Sequence, residues 1–238
     1  RCLQNRSYLL SLPPKHGFMK PFNRTNSYLC EHVQAHVSRR LMEELDWSQR
    51  PIGIKGSRGV GKTTFLIDYA RERFGTDRSC LYINLNHFYF TKHSLLEFAQ
   101  AFSKQGGKTL LIDQVFKYPD WSKQLRAIYD TCPELHVVFS GSSVMRLKEE
   151  NPDLVDVVQS YNLRGFSFRE YLNLMAGTSF QPVKLDELLS NHLALAAEVL
   201  ATVQPAAYFK DYLHHGFYPF FLEKRNFSEN LLKTMNMM

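Results

Sequence analysis

One stretch of the sequence reads Gly56-Ser57-Arg58-Gly59-Val60-Gly61-Lys62-Thr63-Thr64 and fills every fixed position of the pattern G-x-x-x-x-G-K-[ST]. An apolar run at 51–54 precedes this stretch, and a helical pattern at 65–70 follows it. The stretch therefore has the strand, loop and helix context of a phosphate-binding loop. Glycines in such a loop let the backbone turn tightly and point successive N–H groups at phosphate oxygens. The sequence thus predicts a nucleotide-binding loop that leads into a helix.

Two side chains of this loop carry chemistry of their own. Lys62 would place a positive charge on the β- and γ-phosphates, and the hydroxyl of Thr63 would bind Mg²⁺. The alternative is a glycine-rich turn with a chance lysine, which the flanking strand and helix patterns disfavour. We therefore predict ATP and Mg²⁺ as cofactors. The predicted nucleotide-binding residues are Gly56, Ser57, Arg58, Gly59, Val60, Gly61, Lys62, Thr63 and Thr64.

A second apolar run ends on an acid, in the stretch Thr109-Leu110-Leu111-Ile112-Asp113. P-loop proteins place at the end of a strand the carboxylate that holds Mg²⁺ through water. An acid at the end of a strand can also be a simple helix cap, but the phosphate loop favours the metal role. We therefore predict Thr63 and Asp113 as the magnesium ligands.

Strand and helix patterns alternate through the middle of the chain. This alternation is typical of a parallel sheet that is covered by helices on both faces. With the strand before the phosphate loop, it predicts an α/β fold of the P-loop NTPase class with a five-stranded, mostly parallel sheet. The other predicted strands lie at 80–85, 109–113, 135–140 and 159–163, and the predicted helices between them lie at 94–102 and 121–131.

The N-terminal part of the chain has a different pattern. Residues 1–30 contain several prolines and show no sustained period, so we expect a lead-in that lies across the core. Residues 31–45 show apolar positions at four-residue spacing, which predicts an amphipathic helix. We place the nucleotide-binding domain at residues 31–165.

From residue 166 onward the pattern is helix after helix, which predicts a small all-α lid domain over residues 166–238. The last helical pattern, 229–238, reaches the end of the sequence, so we expect this lid to be truncated. The aromatic run at 216–221 is more typical of a plug in the core than of a ligand cage. The other lid helices are predicted at 168–175, 185–203 and 206–214.

Composition and charge limit the class of protein. The 238 residues are 44% hydrophobic and 22% charged, as in an ordinary soluble globular protein. Because no apolar run approaches the ~20 residues that span a bilayer and the N-terminus lacks a signal-peptide layout, we predict a cytoplasmic protein without a membrane partner. The formal charge of +6 is spread along the chain, so a nucleic-acid partner has only weak support.

The chain resembles the prokaryotic AAA-type P-loop ATPases of the archaeal-ATPase-like group. The resemblance covers about residues 31–222 and is carried by the phosphate loop, by the strand ending at Asp113 with the trailing residues 117–121, and by two more specific segments. These segments are Val138-Phe139-Ser140-Gly141-Ser142-Ser143 and Leu163-Arg164-Gly165-Phe166-Ser167-Phe168-Arg169-Glu170-Tyr171-Leu172. The resemblance implies ATP hydrolysis, assembly into rings or dimers as an option, and a further DNA-binding-like or nuclease-like domain after the lid.

By this resemblance, several residues acquire candidate roles at the γ-phosphate. Ser140 or Ser142 would be the polar sensor, and the alternative for each is a serine in the turn after a strand. Arg146 and Arg164 are candidates for the arginine that stabilises transition-state charge, and the alternative for each is a surface or ion-paired arginine. The predicted catalytic residues are Lys62, Gln114, Ser140, Arg146 and Arg164.

Gln114 departs from the family pattern, which has glutamate directly after the strand-ending aspartate. A glutamate can accept a proton from the attacking water, whereas an amide can only orient that water. We therefore expect an AAA-type ATPase or nucleotide-dependent switch that binds ATP·Mg²⁺ and hydrolyses it poorly.

Two other functions are compatible with a phosphate loop. A P-loop kinase would transfer the γ-phosphate to a small acceptor, and it would need an acceptor pocket that the sequence does not reveal. An ATP-dependent DNA-binding module would use the nucleotide structurally, and its affinity for DNA would fall steeply with salt.

Overall fold

A parallel sheet lies at the centre of the chain in a computed structural model that describes residues 17–142, 152–223 and 226–236. Within the described part the sheet has five strands, and every pairing between them is parallel. This finding confirms the predicted α/β fold of the P-loop class. The strands are β1 (Ile52–Gly56), β2 (Cys80–Asn84), β3 (Thr109–Asp113), β4 (His136–Ser142) and β5 (Gln159–Asn162).

The order of the strands brings distant parts of the sequence to one edge. The order is β2-β3-β4-β1-β5, so β4 lies between the strand that precedes the phosphate loop and the strand that ends on Asp113. Parallel strands all end at the same edge of a sheet, and ligands bind in the crevice outside their carboxyl ends. Thr63 and Asp113, which are 50 positions apart in the sequence, therefore come into contact.

Both faces of the sheet are covered by helices. In β3, Leu110 and Ile112 belong to one buried apolar cluster and Leu111 belongs to the other. Successive residues of a strand point to opposite faces, so a strand that is covered on both sides is apolar throughout. The helices around the sheet are α1 (Met19–His32), α2 (Arg40–Glu44), α3 (Lys62–Phe74), α4 (Leu95–Lys104) and α5 (Trp121–Thr131).

The predicted N-terminal helix is wrong in position. We expected a helix at 31–45 after an irregular lead-in, but α1 ends at His32 and an irregular segment, residues 33–39, leads to the short helix α2. Pro21 lies in the first turn of α1. The backbone N–H groups of a first turn have no helical partner, so a proline there does not break the helix.

Helix α1 covers one edge of the sheet. Met19 and Phe22 of this helix are buried. The side-chain oxygen of Asn26 accepts the backbone N–H of Tyr82, in the edge strand β2, at 2.9 Å. Unpaired groups on an edge strand invite pairing with another chain, and α1 occupies that position instead.

Helices form the C-terminal part of the chain, as predicted. The first of them begins with a capping box, in which Ser167 and Glu170 each accept the backbone N–H of the other. The predicted helix at 206–214 is shorter than expected and continues as a π-helical turn, Tyr212–Gly216. The helices are α6 (Phe168–Ala176), α7 (Leu185–Thr202), α8 (Pro205–Asp211) and α9 (Phe227–Met235).

Helix α7 packs little against the rest of the chain. None of its 18 residues is buried, and Leu189 and Leu193 are 70% and 76% exposed. Across the ranges that the structure describes, no helix combines the length and the apolar character that crossing a bilayer requires.

Candidate nucleotide-binding site

The phosphate loop connects β1 to the start of α3. Gly59 and Gly61 have φ of 83° and 92°, a left-handed conformation that only glycine adopts at low cost. At Gly56, a Cβ atom would lie 2.3 Å from the carbonyl oxygen of Leu163. All three glycines of this stretch are therefore required, two by their backbone conformation and Gly56 by its close approach to Leu163. The loop ends at the positive N-terminus of a 13-residue helix.

Lys62 lies folded over the loop that precedes it. Its Nζ donates to the carbonyl oxygens of Gly56 and Ser57, at 2.8 Å in each case. Burial lowers the pKa of Lys62 to about 8, although the negative charge of Asp113 opposes this shift. A poorly hydrated ammonium group beside a glycine-rich loop and a helix N-terminus is well suited to bind phosphate oxygens.

Asp113 is 1% exposed and holds a network of hydroxyl groups. Its Oδ2 accepts hydrogen bonds from Thr63 Oγ1 at 2.7 Å and from the Tyr82 hydroxyl at 2.8 Å. The hydroxyl of Ser140 donates to its Oδ1. The two predicted magnesium ligands are thus in direct contact, and a carboxylate beside a hydroxyl is the oxygen donor set that Mg²⁺ prefers.

Tyr82 is a member of this network that the sequence analysis missed. Burial and the adjacent charge of Asp113 raise the pKa of its hydroxyl, so Tyr82 stays protonated and donates to the carboxylate. The sequence gives only a weak signal for it, since a tyrosine inside a strand usually belongs to the core.

Gln114 has an unusual backbone conformation. Its φ is 57°, in the left-handed region that non-glycine residues seldom adopt. Its N–H is shared between Asp113 Oδ1 at 3.0 Å and Ser140 Oγ at 3.1 Å. These bonds hold the backbone in this conformation, and Gln114 is one of the residues that line the cavity beside the phosphate loop.

Of the remaining predicted residues, the two serines line the cavity and Arg164 does not. Ser140 and Ser142, on β4, both line the cavity. Arg164 is exposed and lies outside the set of residues that line it, so the structure does not bring its guanidinium to the site. Arg146 lies outside the described residues.

The cavity beside the phosphate loop has a volume of about 820 Å³, within the range of a small-molecule site. Its walls come from four places: the phosphate loop and α3, the ends of β3 and β4, the irregular segment 33–39, and the C-terminal helical part. The residues outside the predicted site that line it are Gln34, Ala35, His36, Val37, Arg39, Phe65, Asp68, Phe116, Lys117, Phe166, Pro219, Phe220, Leu222 and Glu223.

The aromatic run at 216–221 contacts both the core of the C-terminal part and the phosphate loop. Phe221 packs against Tyr171, with ring centroids 5.5 Å apart. Phe220 lies against Gly59, where an added Cβ would come within 2.7 Å of the ring. The C-terminal helical part therefore touches the phosphate loop directly.

Arg39 is the second residue that sequence reasoning missed. It lies at the end of the segment 33–39 and is 8% exposed. Its side chain donates to the carbonyl of Val60 in the phosphate loop and to the carboxylate of Glu170 in α6. It belongs to no motif, and its partners are 21 and 131 positions away, so the sequence carried no signal for this role.

Three solved structures resemble the chain at low sequence identity. PCH-2 from C. elegans is 15% identical, with 71% of this chain and 49% of that chain covered and a TM-score of 0.36. DnaA from Aquifex aeolicus, bound to AMPPCP, is 18% identical, with 71% and 57% covered and a TM-score of 0.38. RuvB from Thermotoga maritima is 14% identical, with 66% and 48% covered and a TM-score of 0.36.

The matched region spans about half the length of each of these three proteins, and the likeness is too low to say anything about activity. No curated protein sequence matches the chain. A family model described as an AAA domain matches residues 48–172, which is more than half of the chain and includes the phosphate loop, Asp113 and Glu170. The chain therefore belongs to the AAA domain family.

Proposed function

We propose that the chain binds ATP·Mg²⁺ and acts as a nucleotide-dependent switch that hydrolyses ATP slowly. The observation that supports this most directly is the meeting of Lys62, Thr63 and Asp113 at the carboxyl edge of the sheet. A phosphate loop alone occurs in many kinds of protein. A phosphate loop whose threonine hydroxyl contacts a buried carboxylate is arranged for a nucleotide with its metal.

Phosphate binding would depend on the backbone and on one charge. The loop around Gly59 and Gly61 and the N-terminus of α3 supply N–H groups and a positive electrostatic potential. Lys62 would exchange its two carbonyl partners for phosphate oxygens, which bind an ammonium group more strongly than neutral carbonyls do.

Thr63 and Asp113 would hold the magnesium ion. Their oxygens lie 2.7 Å apart, so both can reach one small cation that prefers oxygen ligands. Bound there, Mg²⁺ would neutralise negative charge on the phosphate oxygens. The role of Tyr82 and Ser140 would be to fix the Asp113 carboxylate, since both hydroxyl groups donate to it.

Slow hydrolysis would follow from the groups around the attacking water. Asp113 is occupied by three hydroxyl donors, and Gln114 carries an amide that has no basic lone pair to accept a proton. Loss of a general base typically costs about 10²–10⁴ in rate and leaves binding intact. The bound ATP would therefore persist long enough to act as a signal.

The switch would operate between two domains. We propose that residues 31–165, together with helix α1, form the nucleotide-binding domain. Residues 166–238 would form the lid. The contact of Phe220 with Gly59 supports this proposal, because it joins the phosphate loop directly to the proposed lid. A ligand drives such a switch only if the two states bind it with different affinity.

The test is a calorimetric titration of the chain with ATP, in the presence and in the absence of Mg²⁺. We expect binding that depends on the metal and that falls at least about tenfold in Lys62→Ala, since one charge-assisted contact contributes about 1.5–3 kcal/mol. Binding that is unchanged in Lys62→Ala would contradict the proposal.

Turnover tests the second half of the proposal. Phosphate release by the unaltered chain is compared with that of Gln114→Glu, and we expect the variant to be faster by about 10² or more. Equal rates would remove Gln114 from the mechanism while leaving nucleotide binding untouched.

A further inference from the structure

One buried arginine joins the phosphate loop to the lid. Arg39 Nη1 donates to the carbonyl of Val60 at 3.0 Å, and Nη2 donates to the carbonyls of Arg164 and Gly165 at 2.5 and 3.2 Å. Its Nε donates to Glu170 Oε1 at 3.3 Å. A guanidinium has five N–H donors in a rigid fork, which lets one side chain bind several fixed acceptors at once.

The lid end of this contact is the capping box of α6. Glu170 accepts the backbone N–H groups of Ser167 at 2.8 Å and of Arg40 at 3.2 Å, in addition to Arg39. Burial alone would raise the pKa of Glu170, but the Ser167 N–H and the Arg39 charge hold that pKa below its ordinary value. The side chains of Arg39 and Glu170 are 9% and 6% exposed, so the pair is shielded from solvent.

On the side of the phosphate loop, Arg39 fixes the orientation of the Val60–Gly61 peptide. In a trans peptide the C=O and N–H point in opposite directions. Arg39 holds the carbonyl of Val60, so it also sets the direction of the Gly61 N–H in the phosphate loop. A phosphate that accepts from this N–H would polarise the peptide and strengthen the bond from Arg39 to the Val60 carbonyl.

We propose that Arg39 is a positioning residue that couples occupation of the phosphate loop to the position of the lid. This inference rests on the proposed ATP binding and adds the route by which the lid responds to it. Arg39 acts through the Val60–Gly61 peptide and through Glu170. Because coupling between two sites is reciprocal, a lid held by Arg39 also favours the bound state of the loop.

The experiment compares hydrogen exchange of lid amides with and without ATP·Mg²⁺. In the unaltered chain, ATP should slow exchange in residues 166–176 by about fivefold or more, the lower end of typical coupling. The probe variant is Arg39→Met combined with Glu170→Gln. Removing Arg39 alone would leave a buried carboxylate unpaired, whereas the double change removes both charges and keeps similar volume.

The double variant should bind ATP more weakly than the unaltered chain, by no more than about tenfold, and should lose the slowing of exchange in the lid. Arg50→Met is the matched control. Arg50 also donates to several carbonyls, among them those of Tyr129 at 3.2 Å and Cys132 at 3.1 Å, but at the opposite edge of the sheet. This control should lower thermal stability and keep the response of the lid to ATP.

Each outcome decides the question. If the double variant binds ATP and still slows lid exchange, Arg39 is not the coupling residue. If it is folded but binds no ATP, Arg39 belongs to the binding site itself and the coupling role is wrong. If the unaltered chain binds no ATP, the proposed function fails first, and this failure is seen without any variant.

A second variant covers the case in which the double variant does not fold. Arg39→Lys keeps the positive charge, but its three N–H donors on one nitrogen cannot serve the four acceptors that the guanidinium of Arg39 binds. It should bind ATP and show a reduced change in lid exchange. An undiminished change in Arg39→Lys would overturn the proposal.

Discussion

The sheet and the lid are stabilised in different ways. Every residue of β3 is buried, whereas α7 in the lid has no buried residue. The sheet gains its stability from apolar side chains on both faces. The contacts of the C-terminal helical part with the rest of the chain include the buried pair of Arg39 with Glu170 and the packing of Phe220 on Gly59. Regions with few buried apolar contacts open at a lower free energy than the core, so α7 can open while the sheet stays folded.

The largest expected effect concerns the core. Phe98 is 1% exposed and packs against Phe22 and Phe90, so Phe98→Ala should lower the free energy of unfolding by about 3–5 kcal/mol. Leu189 of α7 is 70% exposed, and Leu189→Ala should change the free energy of unfolding by no more than about 0.5 kcal/mol. Urea unfolding of both variants measures the difference, and similar losses would mean that α7 is part of the core.

The next effect concerns the contact between the two regions. Gly59→Ala would place a methyl group 2.7 Å from the Phe220 ring and force alanine to a φ of 83°. The strain costs about 1–2 kcal/mol, and the clash should displace the lid and weaken ATP binding, which calorimetry measures.

Gly106→Ala is the control for that variant. Gly106 has a similar φ of 88°, but nothing lies within 4 Å of the added Cβ. Gly106→Ala should lower the free energy of unfolding through the same backbone strain and leave ATP binding unchanged. Phe220→Ala in the Gly59→Ala background should recover part of the affinity, and no recovery would place the defect in the loop alone.

A smaller effect is expected from pH at the phosphate loop. Burial lowers the pKa of Lys62 to about 8, and a bound phosphate favours the charged form of the lysine. The affinity for ATP is therefore full below this pKa and falls as the pH rises above it, by about tenfold between pH 7 and pH 9. Calorimetry at the two pH values measures this loss. Lys62→Arg stays charged throughout and should show a flatter profile, so equal slopes would contradict the assignment.

The smallest effect concerns the opposite edge of the sheet. Burial lowers the pKa of His136, at the start of β4, so the unfolded chain takes up a proton before the folded chain does. The free energy of unfolding should fall as the pH drops below about 6.5, by at most about 1.4 kcal/mol per pH unit. Urea unfolding of His136→Gln should show a smaller loss, and ATP affinity should not follow this transition.

The sequence predicted those parts of the site that are local. The phosphate loop is a contiguous stretch, and Asp113 is recognisable because it ends an apolar strand. That these two meet was also predictable, since the carboxyl ends of parallel strands share an edge. That β4 is the strand between β1 and β3 was not predicted, because β4 and β1 pair through residues more than 80 positions apart, such as Ile54 with Ser140.

The parts that could not be predicted depend on tertiary contacts. Arg39 looks like any surface arginine until the fold brings Val60 and Glu170 to it. Helix α1 was missed because only Met19 and Phe22 are buried along its 14 residues, and Pro21 looked like a helix breaker. The roles of Ser140 and Gln114 remain predictions, although the structure places both beside Asp113.

The covering of β2 by α1 has a practical consequence for anyone who expresses a shortened form of this protein. A fragment that began at residue 48, where the family match begins, would lack both Arg39 and the helix whose Asn26 accepts the Tyr82 N–H. The edge strand β2 would then be uncovered, and uncovered strand edges pair with one another. Such a fragment should precipitate or form mixed oligomers, whereas one that starts before Met19 should remain monodisperse in size-exclusion chromatography.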